Sequence, residues 1–379
     1  MSLFYLVYLG GLGAQASYLP LALSDRGMTL GEVSAVLMIP AVMRMIVPAA
    51  WGYMADRLGQ GKGLLVLACW GMALTYLPIL WGGFAFTAVM LGLYSFFRLP
   101  IGTLADALTF QRVATTGESF GSIRRWGTVG YVVVVLISGY IAQAVSAAFA
   151  VSLGVVLMVA TARMSHRLPS PPAGAKRDLG AALKKLVSER RFLLFLLAVM
   201  LHTIGQAAYD SLFPLHLSGL GVDRSLIGWA VALGATVEVG VMSASGWLLR
   251  RVSAERLCVV ASLVAAARWA LNGALTDVTA LIAVQALHGV TFGAWYIAAA
   301  TLADRQAPER LRASAQGLLT VASFGVGGVI AMSLGAFASS TAALFQVCAL
   351  LALGAAVIMA AITPRRAQNL PKIQAQAST

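Results

Sequence analysis

The feature that most limits what this chain can become is a succession of apolar segments, each near 20 residues, repeated along almost its whole length. Cutting the sequence at charges and turn residues leaves spans at 3–23, 30–54, 64–82, 85–110, 123–142, 146–162, 192–217, 225–249, 256–275, 279–303, 312–338 and 341–362, twelve in all. A helix needs about 20 mostly apolar residues to cross the roughly 30 Å hydrocarbon layer. Apart from closed barrels, only helices satisfy their own backbone hydrogen bonds there, and barrel-type alternation is absent. Composition agrees: 59% of the residues are hydrophobic, 11% are charged and the mean hydropathy is +0.83, whereas a soluble chain is about a quarter charged. The expectation is an all-α membrane protein with twelve transmembrane helices.

The longest interruption is 163–191, which contains P-S-P-P-A-G (Pro169 to Gly174) and then D-L-G-A-A-L-K-K-L-V, a pattern suited to an amphipathic helix on the membrane surface. It separates an N-terminal six-helix bundle, 1–162, from a C-terminal one, 192–362, and leaves a tail at 363–379. No basic residue precedes Leu3, so the first segment reads as a retained helix rather than a signal peptide.

The net charge of +13 is distributed by topology. With the N-terminus inside, that side collects Arg57, Lys62, Arg112, Arg124, Arg125, the basic residues of 163–191, Arg250, Arg251, Arg256, Arg305, Arg310, Arg312 and those of the tail; the other side has Arg26 and Arg224. This bias places both termini in the cytoplasm of a multi-pass protein of the cell (inner) membrane, and it removes the argument for nucleic acid as a partner. Cys69, Cys258 and Cys348 all fall inside spans at no metal-ligand spacing, so neither a disulfide framework nor a metal site is expected. The nucleophile, metal and phosphate-loop motifs of enzymes are missing as well. The expectation is a non-enzymatic monomer without cofactors.

The halves echo each other. The link after the second span reads G-Y-M-A-D-R-L-G-Q-G-K (Gly52 to Lys62), and that after the eighth reads G-W-L-L-R-R-V-S-A-E-R (Gly246 to Arg256), with Asp56 replaced by Arg250. A glycine lets two helix ends approach, and an Asp-Arg pair beyond it can clasp a neighbour until the halves rock; ordinary loop charge is the plainer reading. The first copy resembles the loop signature of the major facilitator superfamily, G-x-x-x-D-R-x-G-x-x-[RK], at Gly52, Asp56, Arg57, Gly59 and Lys62. That resemblance implies two pseudo-symmetric six-helix bundles and transport by alternating access, with Gly52, Asp56 and Arg57 in a gating loop.

Ionisable groups inside a membrane cost on the order of 3 kcal/mol each, so those that persist usually face a cavity. They are Arg44, Arg98, Asp106, Asp210, Glu238 and Arg268, with His202 and His288. Arg124 stands one turn into the fifth span, and Asp106 stands shortly before the end of the fourth; across the short connection the two can meet in a bidentate contact, either as a structural ion pair or as a receptor for a polar solute. His202, Gln206 and Asp210 lie at i, i+4 and i+8 on one stripe of the seventh span; Gln206 and Asp210 are placed to touch solute, and His202 equally suits packing. Glu238, Arg268 and His288 fall near the middle of three successive spans, as a static charge network or as a site that takes up and releases a proton.

The segment A-D-A-L-T-F-Q-R-V-A-T-T-G-E-S-F-G-S-I-R-R-W-G-T-V-G-Y resembles the corresponding stretch of the lactose permease branch, in which an acid and an arginine eighteen residues apart hold the sugar. That likeness implies a solute-binding role for Asp106 and Arg124 and a stacking position for Tyr131. The same branch carries Glu, Arg and His on the three later helices, which implies Glu238 as proton carrier, Arg268 as the group that tunes it and His288 as the link to solute. One departure stands out: Thr291 occupies the place of a further acid. V-E-V at 237–239, A-R-W at 267–269 and V-Q-A-L-H-G-V-T-F at 284–292 resemble the phenylpropionate permeases and nucleoside:proton symporters. The resulting expectation is a proton-coupled symporter for a small polar organic solute, an aromatic acid, nucleoside or sugar. A drug or metabolite exporter is the alternative, disfavoured by the absence of proline from the fifth span.

Overall fold

The computed structural model describes residues 1–58, 61–116, 120–168, 188–308 and 312–363; within these, the side chains at 49, 52–53, 55–58, 61, 107, 110–116, 120–122 and 312–314 fall outside the description. The described residues are almost entirely helical, with no strand among them. The first half contains α1 (Ser2–Asp25), α2 (Leu30–Leu58), α3 (Gly61–Tyr76), α4 (Phe84–Thr116), α5 (Phe120–Ala144) and α6 (Ala147–Ser165). The second contains α7 (Arg190–Gly219), α8 (Arg224–Ser243, continued by Ser245–Arg251), α9 (Ala254–Ala274), α10, α11 and α12 (Thr341–Ile362). Two of these are composite: α10 runs Val278–Val284, Gln285–Leu287, a π-helical turn Gly289–Ala294 and Trp295–Gln306, and α11 runs Arg312–Thr320, a π-helical turn Val321–Val326 and Gly327–Phe337.

Among the described residues eleven helices are long and apolar enough to cross a bilayer. The third is shorter, Lys62–Tyr76. The sequence carries that span to residue 82, but Pro78 has no amide hydrogen to extend the ladder, and the backbone closes into turns, with the Ile79 N–H on the Tyr76 carbonyl at 3.1 Å. Large apolar side chains such as Ile46, Leu74, Val156, Leu350 and Val357 stand more than half exposed on the outside, which is the expected face toward lipid.

Met1, the end of α6, the start of α7 and the end of α12 lie on one side, here the terminal side; the turns at 26–29, 77–83, 145–146, 220–223, 275–277 and 338–340 lie on the far side. The far-side turns are built for tight reversal. Thr29 and Glu32 form a reciprocal capping box at the start of α2, and Ser146, Asp277 and Ser340 cap α6, α10 and α12 through their side chains. The first turn of each half ends its helix in the same way. Gly27 (φ +89°) and Gly221 (φ +77°) take the left-handed conformation, with Met28 N–H on Leu23 O and Val222 N–H on Leu217 O, a six-to-one closure that glycine makes without steric cost. The correspondence between the halves thus extends from the 52–62 and 246–256 sequences to the backbone geometry of these two turns.

Within the first half α1 packs on α5 and α6, α3 on α4 and α6, and α2 on α4; within the second, α7 and α9 pack on α12 and α8 packs on α10. A Cβ at Gly130 would collide with the Leu6 carbonyl, so the α1–α5 crossing depends on that glycine. The halves meet along α2–α11 and α5–α8. One apolar core includes most of the first half together with Leu212, Phe213, Leu217, Ile227, Ala331 and Phe345 from the far-side portion of the second. The terminal-side portion of the second half, around Phe192, Leu257, Trp295 and Met359, has its own separate core. Among the described residues the two halves are therefore fused on the far side and parted on the terminal side.

Candidate functional site

Between the halves lies a cavity of about 440 Å³, within the size range of small-molecule sites. Each lining helix contributes a stripe at helical spacing: Leu37, Pro40 and Arg44 from α2; Arg124, Thr128 and Tyr131 from α5; Gln206, Tyr209 and Asp210 from α7; Val231, Ala235 and Glu238 from α8; and His288 and Phe292 from α10. Gln15 of α1 and Arg98 of α4 complete the polar lining.

On the far side the cavity is sealed. Arg224, first residue of α8, places Nη2 2.7 Å from Asp25 Oδ1, donates its N–H to Gln143 Oε1 at 2.8 Å, and accepts the Tyr18 hydroxyl at its carbonyl at 3.3 Å. Trp229 Nε1 donates to the Tyr140 hydroxyl. The glycines Gly139 and Gly228 sit where α5 and α8 cross, and a Cβ on either would meet the Tyr18 hydroxyl.

In the second half the charged groups form a chain. Arg268 is fully enclosed and donates Nη2 to Gln285 Oε1 at 2.8 Å and Nη1 to Thr291 Oγ1 at 2.9 Å, with Nη1 also 3.2 Å from His288 Nδ1. A guanidinium only donates, so His288 Nδ1 accepts and its proton sits on Nε2, which donates to Glu238 Oε2 at 3.1 Å. Gln285 is locked in turn by Asn272 and the Leu281 carbonyl. The imidazole thus stands between the carboxylate and the arginine. Thr291, found where the resemblance leads one to look for an acid, supplies an oxygen to Arg268 instead. The Arg268 cation is further met by the Tyr209 and Trp269 rings at 4.2 and 4.6 Å.

Asp106 and Arg124 do come together, but the contact is single and long: Arg124 Nε is 3.7 Å from Asp106 Oδ1. The Tyr5 hydroxyl donates to that carboxylate at 2.6 Å, and the Arg124 guanidinium lies over the Tyr5 ring at 5.0 Å. Arg124 lines the cavity, whereas Asp106 stands behind it. Gln206 Nε2 donates to Asp210 Oδ1 at 2.7 Å, and Tyr131, Gln206 and Asp210 all face the chamber. His202 is a packing residue: its ring stacks on Trp295 at 4.3 Å, Nε2 donates to the Thr291 carbonyl and Nδ1 accepts from Ser262, so it anchors the π-helical turn of α10. Gly52 lies on the helical backbone of α2, but its surroundings and the side chains of Asp56 and Arg57 are outside the described residues.

Sequence reasoning passes over Gln15, Thr128, Tyr209 and Phe292, and counts Arg44 and Arg98 without giving them a role. The signal available for them is periodicity: Thr128 lies between Arg124 and Tyr131 at i+4, and Phe292 one turn after His288. Among the described residues no cluster of His, Cys, Asp and Glu could hold a metal ion.

A bundle of membrane-crossing helices in two halves, enclosing a charged chamber sealed at one end, defines a carrier of solutes. The chain belongs to the MFS_1 like family, whose family model matches residues 1–347; it is a secondary transporter of the major facilitator type and a multi-pass membrane protein, not an enzyme. It is 28% identical over 328 residues to the maltose permease of Geobacillus stearothermophilus, covering 86% of this chain and 83% of that protein. It is 29% identical over 233 residues to the "Probable 3-phenylpropionic acid transporter" of Escherichia coli (strain K12), covering 60% of this chain and 61% of that protein. Its fold matches a mutant form of the nucleoside transporter NupG with a TM-score of 0.83 at 17% identity, over 95% of this chain and 98% of the other.

Proposed function

We propose that the chain is a proton-coupled symporter that imports a small polar organic solute, an aromatic acid, nucleoside or sugar, by rocking 1–162 against 192–362, with 163–191 as the cytoplasmic linker. It acts as a monomer in the inner membrane with both termini in the cytoplasm, an orientation favoured by the basic residues gathered on the terminal side. In this reading Arg124, Tyr131, Gln206 and Asp210 bind the solute, Asp106 holds Arg124 in place, Glu238 carries the proton, His288 links it to the solute and Arg268 fixes the histidine. Gly52, Asp56 and Arg57 gate the terminal side.

The observation that carries the proposal is the chain Glu238–His288–Arg268. Its outer member faces the cavity with a side chain 21% exposed, and its inner member is sealed from solvent. A carboxylate so placed can exchange a proton with whichever side the chamber faces, while Arg268 keeps the imidazole in the tautomer that donates to it. The test is transport by proteoliposomes under an imposed pH gradient. Glu238→Gln should retain solute exchange down a gradient and lose pH-driven accumulation; accumulation equal to that of the native protein would remove Glu238 from the mechanism.

A further inference from the structure

Arg44 and Arg98 are the cations that neither the relay nor the Asp106–Arg124 contact absorbs. Arg44 comes fourteen residues after Leu30, and Arg98 fourteen after Phe84. Both helices start on the far side, so both guanidiniums lie at one depth, about 21 Å in, and α2 packs on α4. Both line the cavity. Neither forms an ion pair with a described residue; what each has is an aromatic face, Phe324 at 5.3 Å for Arg44 and Tyr94 at 5.8 Å for Arg98. Arg98 Nε is enclosed with no hydrogen-bond partner.

The acids of the chamber are already engaged, Asp210 by Gln206 and Glu238 by His288. Asp106 is satisfied by Tyr5 and lies beside Arg124. Asp210 is the acid whose charge reaches Arg44, yet it forms no ion pair with either arginine, so two mutually repelling cations share one negative charge and the excess positive charge is expensive in a membrane. An anion arriving between them relieves both costs, and two guanidinium forks match the geometry of a carboxylate. Beyond them the chamber is walled by Tyr131, Tyr209 and Phe292, with Phe292 stacked on His288 at 5.5 Å. These aromatic side chains give an apolar body surfaces to lie against.

We propose that Arg44 and Arg98 form a carboxylate-binding site, so that the solute is an aryl carboxylate whose ring lies among Tyr131, Tyr209 and Phe292, rather than a neutral sugar or nucleoside. The assignment rests on the transport reading above and narrows it to one substrate class. Its test is equilibrium binding, which does not depend on coupling. The purified full-length protein in detergent is titrated calorimetrically with 3-phenylpropanoate, its neutral isostere 3-phenylpropanamide, benzoate, uridine and maltose. The expected result is that 3-phenylpropanoate binds at least about tenfold tighter than the amide. Arg44→Gln and Arg98→Gln should each weaken the carboxylate about tenfold or more and leave the amide within about twofold. Arg44→Lys and Arg98→Lys should give intermediate losses, since a point charge lacks the fork.

Equal binding of acid and amide overturns the proposal. So does carboxylate affinity that survives both Gln substitutions, or binding of uridine or maltose with none of either carboxylate. The acid-against-amide comparison needs no variant, so a poorly folding mutant cannot hide the outcome. A protein that binds the carboxylate at this site yet accumulates it without a pH gradient would keep the site and dismiss the coupling.

Discussion

Replacing Gly228 with valine should force the far side open. A Cβ at that position would lie 2.6 Å from the Tyr18 hydroxyl and 3.1 Å from the Val135 carbonyl oxygen, with the Gly139 Cα at 3.5 Å. The tyrosine could swing aside at the loss of its bonds to the Val135 and Arg224 carbonyls, but the backbone oxygen of α5 cannot. Overpacking of this kind costs about 1–3 kcal/mol. In a carrier that rocks, this contact exists only while the far side is closed, so the cost falls on that state alone and should shift the equilibrium between the two orientations by about 5- to 150-fold. The assay is electron–electron double resonance on spin labels attached at Val145→Cys in the first half and Thr276→Cys in the second; Cys69, Cys258 and Cys348 are all buried. Gly228→Val should move the distance distribution to longer separations, and Gly139→Val, which would crowd the Tyr18 hydroxyl and the Arg224 carbonyl from the other helix, should do the same. A folded Gly228→Val protein with an unchanged distribution would refute the claim that this crossing is a state-dependent seal.

Other substitutions separate strong contacts from weak ones. Asp25→Asn removes an ion pair whose members are partly exposed, at 26% and 38%; screened pairs of this kind contribute roughly 0–1 kcal/mol, so the same labels should shift by less than with Gly228→Val. Gly130→Ala drives a methyl into the Leu6 carbonyl and should lower stability by about 1–3 kcal/mol, read as a fall in the thermal unfolding midpoint. His202→Ala strands the Thr291 carbonyl and removes a ring from the Trp295 stack; a loss of about 1–3 kcal/mol is expected in thermal unfolding, with solute affinity nearly unchanged. His288→Gln should flatten the pH dependence of uptake while leaving far-side labelling distances as they are, because His288 joins the relay and takes no part in the seal.

Much of this was legible because a membrane leaves the chain few options. Apolar length is a strong signal, and it locates the helices. The third span is where length misled: hydropathy runs on past Tyr76, and the proline that stops the helix is itself no penalty to hydropathy. Periodicity alone does not announce the π-helical turns of α10 and α11; the one in α10 leans on His202 of α7, three helices earlier in the chain. Individual ionisable groups were easy to pick out, since each is an exception in its span. Their connections were harder, because whether an imidazole comes between Glu238 and Arg268 is decided by how α8, α9 and α10 cross. Likewise the twin glycine closures at Gly27 and Gly221 are short patterns, S-D-R-G-M and S-G-L-G-V, that become recognisable as equivalents only once both are seen to reverse the chain at the same place in each half.

The apolar core that runs unbroken from one half to the other, on the far side only, makes the two faces of the membrane unequal for this protein. If the conformation with this fused far side is the resting one, the conformer that greets a molecule arriving from beyond is a minority species. Apparent affinity scales with the fraction of competent conformer, so vesicles of opposite orientation should report different half-saturation concentrations for the same ligand, the weaker one where the ligand must first wait for that core to part.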